Sequence, residues 1–218
     1  MAPAWAARPF VTDDARLTSA GSCQLESWAR LYRHSTELWA LPACNPTGNL
    51  ELSFGGGQAR TDGAGTSHDY VLQLKTLMRP LRRNDWGIGI ALGTIRHPQV
   101  NPGPNLLGNT YAYLPFSASF ADDRLVVHAN LGWLRDKASH RSQLTWGLGS
   151  EVLLSRQWTL VAESFGANAG ASYWQAGARY QVVPDRWQLD ATVGRQFGGP
   201  TDTRWLSFGL RFTPASFF

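Results

Sequence analysis

Apolar and polar side chains alternate with a period of two along most of this chain. In the last such segment, Leu206 and Phe208 fall on one face, and Ser207 and Arg211 fall on the other. Successive side chains of a β-strand point to opposite sides of the sheet. The pattern therefore predicts strands with one apolar face and one face of small or polar residues.

The alternation recurs about a dozen times. The predicted strands are 23–32, 35–42, 49–55, 68–77, 86–94, 111–120, 125–134, 144–154, 158–165, 173–182, 187–197 and 205–213. So many short alternating segments are typical of an all-β barrel. We expect an antiparallel transmembrane β-barrel of about 12 strands, of the outer-membrane type.

Composition limits how such a chain could cross a membrane. The sequence of 218 residues is 43% hydrophobic and only 17% charged, and no run reaches the roughly 18 apolar residues that a spanning helix needs. Strands would therefore have to cross the bilayer. The net charge of +4 is spread over turns and loops, which argues against nucleic-acid binding.

The connections between predicted strands fall into two sets. Alternate connections are short and rich in Pro, Asp, Asn or Arg: 43–48, 78–85, 121–124, 155–157 and 183–186. The others are expected to be longer loops: 56–67, 95–110, 135–143, 166–172 and 198–204. Outer-membrane barrels have short periplasmic turns and longer outer loops. This places both termini in the periplasm.

Aromatic residues lie near both predicted membrane edges. Trp86, Trp158 and Trp187 each begin a strand after a short turn, and another group lies toward the opposite strand ends: Tyr70, Tyr111, Trp133 and Trp174. Such a distribution predicts two aromatic girdles. The alternative is a soluble sandwich in which these aromatics form the core.

The N-terminal region and the cysteines indicate export. Ala4-Trp5-Ala6 resembles the end of a secretory signal, although an Ala-rich start also arises by chance. We expect 1–22 to be a periplasmic segment, a signal remnant with a tail or plug, and 23–218 to be the barrel. Cys23 and Cys44 fall together at the periplasmic end of the first two strands and fit a disulfide, with a buried unpaired pair as the alternative.

Several short motifs resemble a known family. They are Arg8-Pro-Phe-Val-Thr-Asp-Asp14, Cys23-Gln-Leu-Glu-Ser-Trp28, Tyr70-Val-Leu-Gln-Leu-Lys-Thr76, His128-Ala-Asn-Leu-Gly-Trp133, Ala162-Glu-Ser-Phe-Gly166 and Leu189-Asp-Ala-Thr-Val-Gly194. Together they are similar to the outer-membrane transporters grouped under the meta-cleavage pathway of phenol degradation. The resemblance implies an outer-membrane barrel with a transport role, and it brings no catalytic residues with it.

The polar face should line the lumen. The charged and amide residues expected to point inward are Glu26, Arg30, Glu51, Asp69, Gln73, Lys75, His128, Asn130, Glu151, Glu163, Gln175, Arg179, Asp190 and Arg211. They either line a wet path or pair into a salt-bridged filling. Glu151 and Glu163 lie on neighbouring strands at similar height, with Arg179 as the nearest cation. We expect this cluster to be a constriction that selects ions.

These observations rank three functions. A channel or transporter for small solutes, including small organic or aromatic compounds, comes first. A non-conducting structural or interaction barrel comes second, and a lipid-modifying enzyme third, because His128 points inward and no serine lies two positions away. We expect no catalytic residue, metal or cofactor. The expected setting is the outer membrane of a Gram-negative bacterium, with membrane lipid, lipopolysaccharide, an unidentified solute and the barrel-assembly machinery as partners, and no nucleic acid.

Overall fold

The computed structural model describes residues 9–99 and 107–214, which form a closed antiparallel barrel. Each strand pairs with its neighbours in the sequence, and the last pairs with the first. The strands are β1 (Ser22–Tyr32), β2 (Ser35–Asn45), β3 (Glu51–Thr61), β4 (Gly65–Arg79), β5 (Trp86–Arg96), β6 (Asn109–Phe120), β7 (Leu125–Arg135), β8 (Ser142–Leu153), β9 (Trp158–Ala167), β10 (Ser172–Val183), β11 (Trp187–Gln196) and β12 (Trp205–Phe212). Within these ranges no helix is long and apolar enough to span a membrane.

The predicted antiparallel barrel of about 12 strands is therefore confirmed. One predicted loop, 56–67, is wrong, because β3 and β4 continue through most of it and leave a turn at 62–64. Gly57 packs within the wall, because a side chain there would overlap the ring of Trp39 on β2. Gly57 therefore makes room for a lumen aromatic rather than loosening a loop.

The two faces of the wall are as the alternation predicts. On β7, Leu131 is 62% exposed on the outside, whereas His128 is fully buried inside. Leu148 and Leu206 are likewise exposed on the outer surface. An outer surface so rich in exposed leucine and aromatic side chains suits hydrocarbon and not water. The closed wall with its apolar side outward excludes the soluble sandwich.

The two ends of the barrel differ in their connections. We call the end at which β1 begins and β12 finishes the turn end, and the opposite end the loop end. Connections at the turn end are uniformly short, and the longest connection, 97–108, is at the loop end. Loop-end connections 33–34 and 62–64 are nevertheless as tight as the turns. The predicted contrast in length is therefore weaker than expected, because several strands continue further than their alternation indicated.

Aromatic side chains mark the turn end. Trp86, Trp158 and Trp187 are all exposed on the outer face there, and the guanidinium of Arg79 lies 4.1 Å from the ring centroid of Trp86. The same guanidinium donates two hydrogen bonds to Asp85, which, with the backbone N–H of Trp86, hold the pKa of that carboxyl below its usual range. These three tryptophans agree with the predicted aromatic girdle at this end.

The predicted girdle at the loop end is only partly present. Tyr70 and Trp133 are exposed on the outer face. Tyr111 is not part of it, because its hydroxyl donates to Gln73 inside the barrel and its ring stacks on Tyr113. Tyr111 shares its phase with the buried Ser117 of β6, so the strand register directs it into the lumen.

Cys23 and Cys44 form the predicted disulfide. They occupy opposite register positions on β1 and β2, with their Cα atoms 4.0 Å apart. Because β1 begins at Ser22 and β2 ends at Asn45, the bond lies at the turn end. It fixes the start of the first strand to its neighbour.

Candidate functional site

The lumen contains part of the chain itself. Residues 9–21, which we call the N-terminal segment, run inside the barrel before β1 begins. Thr12, Asp14, Ala15 and Thr18 are almost fully buried. The residues of the signal-like motif, 4–6, lie outside the described residues. The division into 1–22 and 23–218 stays a prediction, but residues 9–21 have direct contacts with the inner wall.

Two wall carboxylates accept hydrogen bonds from the backbone of the segment. Glu163 on β9 accepts from the N–H groups of Val11 at 2.7 Å and Thr12 at 2.8 Å. Glu51 on β3 accepts from the N–H of Thr18 at 2.7 Å. Backbone donors that leave water need partners, and charged acceptors give the stronger hydrogen bonds. These two glutamates therefore hold both ends of the segment.

Asp13 connects the segment to a different part of the wall. Its carboxylate lies 2.7 Å from the Lys75 ammonium on β4 and accepts a hydrogen bond from the Tyr113 hydroxyl on β6. Its backbone N–H donates to the side-chain oxygen of Asn130 on β7, and the Asn130 amide donates back to the Asp13 carbonyl. The segment is thus bonded to several sides of the bore rather than lying along one wall.

A network of buried polar side chains from β6, β7, β8 and β10 also contacts the segment. The Ser117 hydroxyl lies 2.8 Å from His128 Nδ1, and His128 Nε2 lies 3.3 Å from Glu151. Arg179 lies 3.0 Å from the same carboxylate oxygen. The Ser117 oxygen also accepts the N–H of Ala15.

Sequence reasoning missed Ser117, because it comes to His128 from the neighbouring strand β6 and not from nearby in the sequence. Ser117, His128 and Glu151 are a serine, a histidine and an acid, which are the residue types of a hydrolytic triad. Ser117 and His128 are, however, both fully buried, and Ala15 covers the serine oxygen. The arrangement therefore supports the N-terminal segment and does not present a nucleophile.

The remaining predicted lumen residues also face inward. On the register, Arg179 lies opposite Asp190, and Arg211 lies opposite Glu26 on one side. Asp69 contacts His97 at 2.6 Å near the loop end. The amide of Gln175 donates to the Pro9 carbonyl and to Glu163, and Gln73 accepts from the hydroxyls of Tyr111 and Tyr113. A selective role for these residues stays a prediction.

The expected Glu151 and Glu163 cluster is divided in the structure. The register places Glu151 opposite Val161 and Glu163 opposite Gly149, so the two carboxylates do not face each other directly. Glu151 contacts Arg179, as expected. Glu163 instead contacts the N-terminal segment, whose position could not be derived from the strand pattern.

Cavities remain on both sides of the segment. A cavity of about 750 Å³ at the turn end is lined by residues 15–20, Leu81 and Glu151. A cavity of about 310 Å³ at the loop end is lined by Arg30 and Trp205, among others. The segment lies between these two spaces, at the height of Ser117 and Glu163. The site is therefore a polar bore occupied by a length of chain that is bound to the wall through hydrogen bonds, ion pairs and the buried ring of Phe10.

Comparison with known proteins identifies the family of this chain. A family model described as "Uncharacterised conserved protein UCP029691" matches residues 1–213. The chain belongs to this family. No curated protein matches it by sequence.

Solved structures with the same fold are outer-membrane barrels. KdgM porin is 13% identical, with a TM-score of 0.69 over 89% of this chain and 99% of that chain. NanC porin is 9% identical, with a TM-score of 0.60 over 87% and 97%. The COG4313 outer membrane channel from Pseudomonas putida F1 is 13% identical, with a TM-score of 0.60 over 92% and 98%. At such identities the likeness establishes a porin-like barrel fold.

Proposed function

We propose that this chain is an outer-membrane channel for small solutes whose bore is closed by the N-terminal segment. Several proteins with the same fold are named as porins or channels, and the outer face is apolar enough for lipid. The segment between the two cavities is the observation that carries the proposal. A bore that contains a removable length of chain can be closed and opened, whereas a bore filled by wall side chains cannot.

The kind of bonding supports release of the segment. Its contacts with Glu163, Glu51, Lys75 and Asn130 are hydrogen bonds and an ion pair. When a segment leaves a wet bore, water replaces such contacts, so each one contributes a modest net free energy. Phe10 is the exception, because its ring is buried and packs edge-on against His128.

A non-conducting barrel is the second candidate. The ionic contacts of Arg179 with Glu151 and of Lys75 with Asp13 favour it, because paired charges can fill and stiffen a bore. The two candidates differ in one property, which is whether the segment ever leaves its place.

The resemblance to the meta-cleavage transporters suggests small organic or aromatic compounds as the solutes. In this proposal both termini are periplasmic, and a signal sequence precedes the barrel in the precursor. Membrane lipid, lipopolysaccharide and the barrel-assembly machinery are its partners. The covered Ser117 gives no support to a lipid-modifying enzyme.

A designed disulfide can test whether the segment closes the bore. A Cβ at Gly147 on β8 would lie 3.2 Å from the Cβ of Thr12, near the roughly 3.5–4.5 Å that separates the Cβ atoms of a disulfide. The double variant Thr12→Cys, Gly147→Cys should therefore tie the segment to the wall when oxidised and free it when reduced.

Single-channel conductance in planar bilayers is the measurement. We expect openings in the parent protein, few or none in the oxidised double variant, and their return after reduction. The parent and Thr12→Cys alone, each with and without reductant, control for the native Cys23–Cys44 bond. Equal conductance in both redox states would contradict closure by this segment, and a silent parent would move the non-conducting barrel to first place.

A further inference from the structure

Four aromatic side chains from four strands meet at the loop end of the lumen. Trp205 of β12 lies with its ring centroid 6.0 Å from that of Tyr32 and 6.1 Å from that of Tyr173. Tyr173 stacks on Phe165 at 5.7 Å. These separations are those of interacting aromatic rings. Together they line the loop-end cavity, beyond the part of the lumen that the N-terminal segment occupies.

A glycine on the neighbouring strand makes room for the largest ring. Gly194 of β11 lies opposite Trp205 in the register, and a Cβ at Gly194 would overlap the indole ring. The indole therefore lies flat against the wall and keeps the cavity free. Any side chain at this position would push Trp205 into that space.

A cation completes the cavity. The guanidinium of Arg30 lies 5.2 Å from the ring centroid of Trp205. None of the residues that the structure describes accepts a hydrogen bond from its buried Nε. Its nearest carboxylate, Glu37, is 4.0 Å away, which is a loose ion pair. Arg30 also hydrogen-bonds the Tyr32 hydroxyl, and the rest of its guanidinium keeps capacity to bind an anion.

The other charge at the cavity is already matched. Asp202 lies 2.8 Å from Arg33, whose guanidinium neutralises it. Apart from Arg30 and the Tyr hydroxyls, Asp202 and Thr203 are the polar lining residues. The cavity of about 310 Å³ is at the lower end of the roughly 300–1,000 Å³ typical of small-molecule sites. It suits a small ligand with one flat apolar part and one negative charge.

We propose that this cavity binds an aromatic carboxylate and is a solute-binding site on the path of the channel. The ring of the ligand packs among Tyr32, Tyr173 and Trp205, and its carboxylate accepts hydrogen bonds from Arg30. The role of this site in transport rests on the proposed channel function, although the ligand can bind whether or not the barrel conducts. An acidic sugar fits less well, because its several hydroxyls would need more polar partners than this wall offers.

Calorimetric titration of the protein in detergent micelles with benzoate tests the proposal, with empty micelles as the blank. Two related probes separate the contributions: benzyl alcohol keeps the ring without the charge, and cyclohexanecarboxylate keeps the charge without the aromatic ring. We expect saturable binding of benzoate, and weaker binding of both other probes. Glucuronate serves as the acidic sugar.

Variants then assign the site. Arg30→Gln should weaken benzoate binding by about tenfold or more, since a hydrogen bond to a charged partner is lost. Gly194→Ala should also weaken it by displacing Trp205. Arg204→Gln removes the same charge from an exposed loop-end position and should leave binding unchanged. A protein without residues 1–8 should bind as the full chain does.

Several results would overturn the proposal. They are an absence of benzoate binding, equal binding of cyclohexanecarboxylate or glucuronate, an Arg30→Gln variant that binds as the parent does, or binding that begins only when residues 1–8 are removed. Conductance measured on the same preparation separates the two ideas. Channels that conduct but do not bind benzoate would refute this inference alone, whereas binding without conductance would refute the channel.

Discussion

The carboxylate of Asp13, on the N-terminal segment, lies 2.7 Å from the ammonium of Lys75 on the barrel wall. Lys75 is 3% exposed, and a second carboxylate, that of Asp14, lies 3.5 Å from the same ammonium. One wall cation thus serves two acids of the segment. This contact is the main electrostatic link between the segment and the wall of β4.

Removing the cation should free the segment. Lys75→Met leaves Asp13 without its cation, whereas Asp14 keeps Arg16 at 3.5 Å, and loss of one member of a buried pair costs about 3–5 kcal/mol. We expect reduced stability to urea in lipid vesicles and more frequent channel openings. The double variant Lys75→Met, Asp13→Asn should recover part of the stability. Lys137→Met, at a partly exposed position between β7 and β8, is the control, and an equal loss there would show that the pair has no special role.

The two predicted constriction glutamates should now behave differently. Glu163→Gln weakens the hold on Val11 and Thr12, so we expect longer open times with little change of ion selectivity. Glu151→Gln removes one negative charge beside Arg179, so the reversal potential in a salt gradient should shift toward anions. Asp185→Asn, in the exposed turn between β10 and β11, is the control. Identical effects of the first two variants would contradict their separate roles.

The outer face should not tolerate charge at the level of the bilayer core. Leu131→Arg should lower the free energy of unfolding in lipid by about 2–4 kcal/mol. A charge near or beyond the membrane interface should lower it by only about 0–1 kcal/mol. Leu107→Arg tests the second case, because Leu107 is similarly exposed but lies outside the strands. Urea titrations in vesicles measure both. Equal losses would mean that the membrane does not surround β7.

The native disulfide should stabilise the barrel without affecting conduction. The bond closes a loop with a sequence separation of 21, and the loss of such a bond costs roughly 3 kcal/mol on the chain-entropy estimate. Reduction should lower the urea midpoint of the parent but not that of the double variant Cys23→Ala, Cys44→Ala. Two free thiols in the unfolded, unreduced protein would show that the bond is absent.

Alternation along the strands was enough to predict the barrel, its phase and the disulfide. Side-chain direction in a strand depends only on parity, so the sequence places Leu131 and His128 on opposite faces. The same parity places Ser117 and Tyr113 inside, although their neighbours across the wall could be identified only from the register. Gly57 shows the limit of composition, since a glycine-rich stretch predicts a loop unless the ring that packs against it is known.

The sequence by itself determined a closed wall with an apolar outside and a charged inside, since both follow from the period of two. Only the tertiary structure decided what fills the inside. Inward acids outnumber inward bases in the sequence, but nothing in the pattern shows that Glu163 and Glu51 accept backbone N–H groups from residues 9–21. That segment shows no alternation of its own. Its position depends on partners that lie on strands far away in the sequence, so no local pattern could predict it.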